Sequence, residues 1–405
     1  MKLTAIGSGY YRVFKDGAEV SKHSSEREAV EAAVNLEATT PSANITYKHD
    51  YEVRVEANAT PTPAPTPIPI PPTTPTPIPP VPSSKIFADG PIWKSFSTGN
   101  VLVNSAALSK ELLDFYTNRK VWVSSEGYSI GKFVANSDTP KVPVYVHKIT
   151  TDTTTGQFII GAAKSGTRLY ERLVKGFRIP ENLLPASGTD GHAFIHDTIE
   201  GVGLECYRLV KKDGKYYIDW GAVLDDLPNH NGVIPVVTNA SGGRERQGAR
   251  ASGLAAWGGV ITKEEMASGV IPHAIACSLP YPSNKFVSPA TYSDGWAAKE
   301  SWMPAWMWTP GIPEGTKFRF KAGMNIPSTA CPFIRAVAKA IQDYGLYVVD
   351  RSADRIGLYC ENRKHLGEGQ WERDFFGKKG DGTKKHAYDI YDEWVFMFEN
   401  MEAIQ

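Results

Sequence analysis

Hydrophobic and polar positions near the start of the chain predict two paired strands, one helix and a closing strand. The pair Asp16-Gly17 lies between β-favouring residues, as in a hairpin with a tight two-residue turn. Ser25 and Glu28 have the spacing of a helix capping box, and alanines and valines then recur at helical period. Apolar residues alternate with polar ones over residues 45–55, which predicts a half-buried strand. Residues 1–57 are therefore predicted to form a ββαβ module.

A proline-rich segment follows this module. Between Pro61 and Pro82 about every second residue is proline, so φ is fixed and the backbone donors needed for a helix or sheet are missing. Such a segment forms a polyproline II rod of about 3.1 Å per residue, on the order of 70 Å in all. We therefore expect residues 58–84 to be a rigid linker that holds two domains apart.

Residues 85–405 contain many short β-favouring segments separated by glycine, proline and asparagine. They include VWVSS, VPVYVHKI, QFIIGAA, HAFIHD, LECYRLV, KYYIDW, GVIPVV, KFRFK, LYVVD, RIGLYCE and EWVFMF. Helical patterns are restricted to residues 105–116, to residues 262–268 with a capping box, and to residues 332–344 before Gly345. The fold class predicted is mainly β: a β-sandwich, jelly-roll-like domain with a few helices.

Composition excludes several functional classes. Lys+Arg and Asp+Glu both total 44, which leaves no excess positive charge for nucleic acid. No signal peptide and no apolar stretch long enough for membrane insertion is recognisable. The four cysteines lack the spacing of a metal site or disulfide framework, and no glycine-rich phosphate loop is present. We therefore expect no metal and no cofactor.

The segment GTDGHAFIHD is the first candidate for chemistry. His192 and His196 would share one strand face, but about 3.3 Å per residue separates them by roughly 13 Å, too far for one metal ion. Asp190 lies two residues before His192, a spacing that allows a carboxylate to orient an imidazole as general base. The alternative is a turn aspartate beside an ordinary surface histidine.

A second group of candidates consists of Arg250 and His273. His273 lies in the apolar stretch IPHAIACSLP, where it is predicted inside a strand. If it met His192 and Arg250 in one groove, they would supply a base and a carboxylate-neutralising cation for β-elimination on a uronic-acid polymer. Glu205 and Asp190 would instead suit a glycosidase pair. A hydrogen-bonded core histidine is the alternative for His273.

Four tryptophans are concentrated in the segment DGWAAKESWMPAWMWTPGIPEG, whose prolines and glycines predict a loop: Trp296, Trp302, Trp306 and Trp308. Sugar rings have apolar faces that pack on flat aromatic side chains, so the segment suggests a glycan-binding surface. A loop folded over the sandwich edge, or an oligomer contact, is the structural alternative.

Two stretches resemble known groups of proteins. The segment SGYYRVFKDGAEVSKHSSEREAVEAAVNLE, followed by YKHDYEVRVE, resembles modules at the front of phage tail-fibre and other virion-attached proteins. The segment GTDGHAFIHD, together with ARASGLAAWGGVITKEEMASGVIPHAIACSLP, resembles a lectin- or lyase-like jelly-roll family of bacterial secreted proteins. The first resemblance implies that residues 1–57 contact other virion proteins.

These observations lead to one functional hypothesis and two alternatives. We expect a bacteriophage virion structural protein, a tail fibre or similar appendage, whose residues 85–405 bind host surface polysaccharide. The alternatives are a polysaccharide depolymerase of lyase or glycosidase type, and a head decoration fibre. Without a recognisable signal peptide, the expected location is a virion assembled in the host cytoplasm. A homo-oligomer is compatible with this role, although no coiled coil is specified.

Overall fold

The computed structural model divides the chain into two compact units, Met1–Lys85 and Ile86–Gln405. The residues it describes are 2–15, 18–23, 45–56, 86–87, 92–119, 121–152, 154–238, 244–245, 248–296, 311–353 and 355–405. For residues before 57, and for residues 118–119, 238 and 244–245, the description covers the backbone only.

The first unit contains a three-stranded antiparallel sheet of order β2-β1-β3. Its strands are β1 Lys2–Lys15, β2 Ala18–His23 and β3 Ile45–Glu56. Lys15 pairs with Ala18, so the strands meet on either side of Asp16-Gly17 as the predicted hairpin requires. The predicted helix after Ser25 and the proline-rich rod at residues 58–84 lie outside the described residues.

Two four-stranded sheets form one half of the second unit. The first has the order β14-β11-β10-β5 and consists of β5 Gly131–Ala135, β10 Ala193–Asp197, β11 Val202–Tyr207 and β14 Trp220–Leu224. The second has the order β12-β13-β7-β8 and consists of β7 Val144–Thr151, β8 Phe158–Ala163, β12 Val210–Lys212 and β13 Lys215–Ile218. Their facing sides share one apolar core, with Phe133, Ile195 and Leu204 from the first sheet and Val146 and Ile218 from the second. This packing makes a β-sandwich.

The other half is built on a six-stranded mixed sheet of order β23-β20-β21-β17-β22-β4. Its strands are β4 Val121–Ser124, β17 Ile275–Leu279, β20 Lys317–Phe320, β21 Leu346–Arg351, β22 Ile356–Tyr359 and β23 Met401–Ile404. Strands β17 and β21, and also β22 and β4, run parallel. Three small two-stranded sheets pair β6 Lys141–Val142 with β9 Phe177–Arg178, β15 Val237–Thr238 with β16 Arg244–Glu245, and β18 Ser283–Phe286 with β19 Pro313–Glu314.

The described helices are few and short: α1 Ser105–Arg119, α2 Arg168–Leu173, α3 Lys263–Ser268, α4 Pro332–Asp343 and α5 Tyr391–Glu399. Three 3-10 turns, Lys364–Leu366, Trp371–Phe375 and Ala387–Ile390, complete them. The predicted capping box before α3 is present, with the Thr262 side chain and Glu265 bonding each other's backbone N–H groups. The prediction of a mainly β fold with few helices is confirmed.

Three local predictions from the sequence are wrong. The segment EWVFMF lies in helix α5, because Trp394, Met397 and Phe398 are buried at helical spacing. The segment GVIPVV contributes only an isolated bridge at Val233 and the start of β15. His273 precedes strand β17 instead of lying inside it.

A second core joins the two halves. It contains Phe194 and Leu224 from the first four-stranded sheet and Val349 and Tyr359 from the six-stranded sheet. The loop of residues 248–259 lies within this core and contributes the buried Leu254, Ala255 and Ala256. Trp93, which is 1% exposed, packs in the same core. The loop therefore fills the space between the two sheets, and its backbone groups need partners inside the protein.

Candidate functional site

Three of the four candidates for chemistry lie in one electrostatic neighbourhood. Asp190 and Arg250 both act on the pKa of His192, with opposite signs. His192 directly precedes β10, and Arg250 belongs to the loop of residues 248–259. The fourth candidate, His273, interacts with a different carboxylate. The structure therefore brings Asp190, His192 and Arg250 close together, as the sequence suggested, but places His273 elsewhere.

His192 is a buried imidazole at the start of β10. It is 2% exposed, and its ring centroid lies 5.5 Å from that of Tyr207. The backbone of Ala249 lies beside its ring nitrogens. Burial lowers the pKa of His192, because desolvation penalises the imidazolium and outweighs the opposing effect of Asp190. The ring is thus neutral near neutral pH and is shielded from a polymer outside the domain.

Arg250 is completely buried, which rules out direct contact with an external carboxylate in this conformation. Its Nη1 donates hydrogen bonds to the Ala255 and Gly258 carbonyl oxygens at 3.1 and 2.6 Å. The guanidinium carbon lies 4.7 Å from the centre of the Tyr359 ring. These contacts hold the loop of residues 248–259 against the six-stranded sheet. Arg250 therefore stabilises the loop, and the prediction that it neutralises a substrate carboxylate does not fit this position.

Glu205 holds the same loop from the other side. It is fully buried on β11, where its two carboxylate oxygens accept from the Ala249 and Ala256 N–H groups at 2.6 and 2.7 Å. Burial raises its pKa to about 7, against the lowering effect of these two hydrogen bonds. Because both oxygens face the loop backbone, Glu205 has no access to substrate. A glycosidase pair made of Glu205 and Asp190 does not fit this arrangement.

His273 forms a local ion pair at the edge of helix α3. Its Nε2 lies 3.1 Å from Glu265 Oε1, and its Nδ1 lies 2.9 Å from the Ala274 carbonyl oxygen. Both ring nitrogens face acceptors, so the imidazolium form fits this site best. The pKa of His273 is raised because the Glu265 carboxylate and the carbonyl together outweigh burial, which acts in the opposite direction. Its role here is to secure the start of α3.

Trp296 is the described member of the four tryptophans, since Trp302, Trp306 and Trp308 lie outside the described residues. Trp296 is half-buried and bridges to Ser283, the first residue of β18. The Arg351 guanidinium carbon lies 5.6 Å from the centre of an indole ring of Trp296. The ring centroids of Tyr281 and Trp296 are 6.2 Å apart. Arg351 is exposed, so this aromatic–guanidinium contact lies at the domain surface.

The segment around Trp296 also exposes other aromatic rings. Phe286 at the end of β18 is 40% exposed, and Tyr292, four residues before Trp296, is 41% exposed. We call Phe286, Tyr292, Trp296 and Arg351 the Trp296 surface. Exposed rings combined with a guanidinium supply both the apolar contacts and the hydrogen-bond donors that a sugar requires.

A group of carboxyls adjoins this surface and was not predicted from the sequence. Glu314 is fully buried, and its Oε1 accepts from the Asp294 N–H at 3.4 Å. The pKa of Glu314 is raised well above its usual value by burial first, and then by the nearby Asp350 and Asp294. Asp294 and Asp350, in contrast, are only partly buried. The sequence offered no signal, because these residues are far apart along the chain.

Neither a metal site nor a membrane span is found in the part of the chain that the structure describes. In these residues, no three or more His, Cys, Asp or Glu side chains are grouped as metal ligands. None of the helices described above is long and apolar enough to cross a membrane. Comparison of the chain with protein-family models, curated proteins and solved structures gives no match.

Proposed function

We propose that residues 86–405 bind polysaccharide on a host cell surface through the Trp296 surface, and that the chain is a bacteriophage virion appendage such as a tail fibre. The observation that carries the binding proposal is the contact between Trp296 and the exposed Arg351, 5.6 Å from the ring centre to the guanidinium carbon. Aromatic rings pack against the apolar side of a sugar, and a guanidinium beside the ring adds hydrogen-bond donors. Neighbouring polar groups bind the hydroxyls.

Solvent exposure favours the Trp296 surface over the buried cluster of His192, Arg250 and Glu205 as the ligand-binding site. His192, Arg250 and Glu205 are all at most 2% exposed. In contrast, the Trp296 surface includes Phe286 and Tyr292, each about two-fifths exposed, at 40% and 41%. Large exposed aromatic side chains that lie close together in a segment are typical of a contact surface. The buried cluster fixes the loop between the sheets, and the exposed segment contacts the ligand.

Binding is tested with the full chain and a panel of purified bacterial capsular polysaccharides and lipopolysaccharides, measured by biolayer interferometry. We expect Trp296→Ala to weaken binding about tenfold or more, since loss of a central aromatic anchor costs about 2 kcal/mol. Trp122→Ala is the matched control, because Trp122 is also half-buried and packs edge-on to Tyr128 at 5.3 Å on another part of the domain. Equal effects of both substitutions would contradict the site.

A virion location rests on the resemblance of residues 1–57 to the front modules of phage attachment proteins. Immunogold labelling of the chain's C-terminus on purified particles tests it. Label on a tail appendage supports the proposal, and label on the capsid supports the alternative of a head decoration fibre. Label absent from the particles would overturn both.

Polysaccharide cleavage is a second candidate function. It is favoured by the three carboxyl side chains beside the Trp296 surface, Glu314, Asp294 and Asp350. Glycoside hydrolases combine a carboxyl that donates a proton with a second carboxylate, and the pKa of Glu314 is raised by burial and by the nearby Asp350 and Asp294. Because Glu314 is fully buried and does not reach a sugar, Asp294 and Asp350 would have to supply both the proton donor and the second carboxylate. Glu314 would act only by positioning Asp294, whose N–H it accepts at 3.4 Å. Release of new reducing ends by the wild type, and its loss in Asp294→Asn with binding retained, would establish cleavage. Binding with no release of reducing ends would exclude it for that polymer.

A further inference from the structure

We infer that the outer face of the β12-β13-β7-β8 sheet is a second polysaccharide site, specific for an anionic glycan. It consists of Tyr145, His147, Tyr217, Lys212 and Lys215, which we call the tyrosine–lysine surface. This site lies on a different sheet from the Trp296 surface. The inference goes beyond the proposed function and shares with it only the class of ligand.

The three rings project from the side of the sheet that faces away from the core. Along β7, Val144 and Val146 are buried, and the alternating Tyr145 and His147 are only partly covered. Along β13, Tyr217 likewise alternates with buried neighbours. Side chains of one strand alternate between the two faces of a sheet, so the buried set faces the sandwich core and the rings face outward.

The register of the strands brings these rings into one cluster. Tyr217 is the direct parallel partner of Tyr145, and their ring centroids are 5.6 Å apart at an angle of 32°. The His147 ring lies 5.1 Å from the Tyr217 ring and stands nearly perpendicular to it, at 86°. His147 is fixed in place because its Nδ1 lies 2.8 Å from the Gly161 carbonyl oxygen. The two tyrosine rings therefore lie side by side, and the His147 ring stands perpendicular to them at the side next to β8.

Strand β8, which pairs with β7, does not cover the His147 ring. The residue opposite His147 on β8 is Ala163, which is exposed and carries only a methyl group. Gly161, whose carbonyl holds the His147 ring, has no side chain at all. A residue larger than Ala163 at this position would extend beside the imidazole. The ring faces are therefore accessible from the β8 side.

Two lysines adjoin the rings on the same face. Lys212 and Lys215 are direct cross-strand partners, both are exposed, and Lys215 Nζ lies 5.9 Å from the centre of the Tyr145 ring. Like charges directly opposite each other on a sheet destabilise it. No ion pair to a carboxylate compensates either lysine within the residues that the structure describes. An anionic ligand would relieve this repulsion.

The combination favours a charged glycan over nucleic acid. Two lysines and a perpendicular imidazole do not form the row of parallel stacking rings in a long basic groove that single-stranded nucleic acid uses. The chain as a whole has 44 basic and 44 acidic residues, so no wider positive field supports a polyphosphate. A uronate polymer offers carboxylates to the lysines and apolar sugar faces to the tyrosines.

The test uses the full chain, with polygalacturonate and hyaluronate as anionic probes, dextran as a neutral probe and single-stranded DNA as a competitor class. We expect the double variant Lys212→Glu/Lys215→Glu to bind the uronate polymers about tenfold more weakly or worse, because two cationic contacts become repulsive. Tyr217→Ala should weaken the same binding. The control is Lys175→Glu/Lys364→Glu, which reverses two exposed lysines elsewhere and should leave affinity unchanged.

Each outcome bears on one site only. Unchanged uronate binding in the Lys212/Lys215 variant, no uronate binding by the wild type, or tighter binding of DNA than of either uronate polymer would overturn the second site. Loss of uronate binding in that variant but not in Trp296→Ala would support it. The proposed function fails separately, if Trp296→Ala leaves binding of every capsule and lipopolysaccharide unchanged. Thermal unfolding of each variant, compared with the wild type, tests whether the variant is still folded.

Discussion

Replacing Glu205 with alanine tests whether the loop between the two sheets is held by a single buried carboxylate. Glu205 accepts hydrogen bonds from the Ala249 and Ala256 N–H groups at 2.6 and 2.7 Å and is fully buried. Alanine would leave both donors without a partner in a space that water does not enter freely. It would also remove the carboxylate that acts on Arg250.

The expected magnitude follows from these contacts. An orphaned buried donor costs about 1–3 kcal/mol, so two donors cost about 2–6 kcal/mol. Glu205→Gln keeps one acceptor oxygen and directs an amide N–H group at the other donor, so we expect a loss of about 1–3 kcal/mol, below that of alanine. The exposed Glu181→Ala serves as control and should change the free energy of unfolding by less than about 0.5 kcal/mol.

Glu205 also predicts a pH dependence of stability. Its pKa in the folded chain is about 7, against an ordinary value of 4.5. Between these values the folded protein binds more protons than the unfolded protein, so this carboxyl makes the wild type less stable as pH rises. The full change is on the order of 3 kcal/mol, and Glu205→Gln lacks it. The difference in stability between wild type and Glu205→Gln should therefore shrink as pH rises from 4.5 to 7.

Urea unfolding followed by tryptophan fluorescence at pH 5 and pH 7 measures both effects. At pH 5 we expect lower midpoints for both Glu205 variants with similar m-values, because the surface exposed on unfolding is unchanged. At pH 7 the midpoint of Glu205→Gln should approach that of the wild type. A Glu205→Ala variant that loses less than about 1 kcal/mol at pH 5 would refute the reasoning, since both donors would then have found other partners. A pH-independent difference between wild type and Glu205→Gln would refute the raised pKa.

Two further predictions concern local packing and an ion pair. Glu265→Gln keeps the capping box but removes the charge that raises the pKa of His273. Because the pKa of Glu265 is lowered in turn, the pair stabilises fully between about 4.5 and 6.5 and is lost as pH rises through the raised pKa of His273. The wild-type advantage in melting temperature should therefore decline above pH 6.5. Gly259→Ala should destabilise the chain by about 2 kcal/mol or more, because φ is +70° and a Cβ would lie 2.6 Å from the Ala276 nitrogen. Gly201→Ala has a similar φ of +66° with open space around it, so a loss equal to that of Gly259→Ala would contradict the steric explanation.

Much of the fold was predictable because local chemistry determines it. The hairpin at Asp16-Gly17 and the capping box at Thr262 and Glu265 depend on neighbours within four residues. The segment EWVFMF was misread for a physical reason. Consecutive apolar residues do not distinguish a strand from a buried helix, and only tertiary packing shows that Trp394 and Phe398 share one buried face.

The candidate site was less predictable, since its contacts are long-range. Arg250 was interpreted as a cation for a ligand, yet its acceptors are the carbonyl oxygens of Ala255 and Gly258, which no side-chain motif reveals. Glu314 comes near Asp350 only through the fold. The pairing of Tyr145 with Tyr217 likewise depends on strand register, which the sequence leaves open.

Hydrogen–deuterium exchange of the full chain, with and without a bound capsular polysaccharide, tests the central claim most directly. The account predicts ligand-dependent protection in residues 283–296 and at Arg351, which carry the Trp296 surface, and no change in the control strand Val121–Ser124. Protection of residues 144–147 and 215–217 is predicted only when the polysaccharide is anionic. Protection confined to the buried loop of residues 248–259, with none at residues 283–296, would contradict the account.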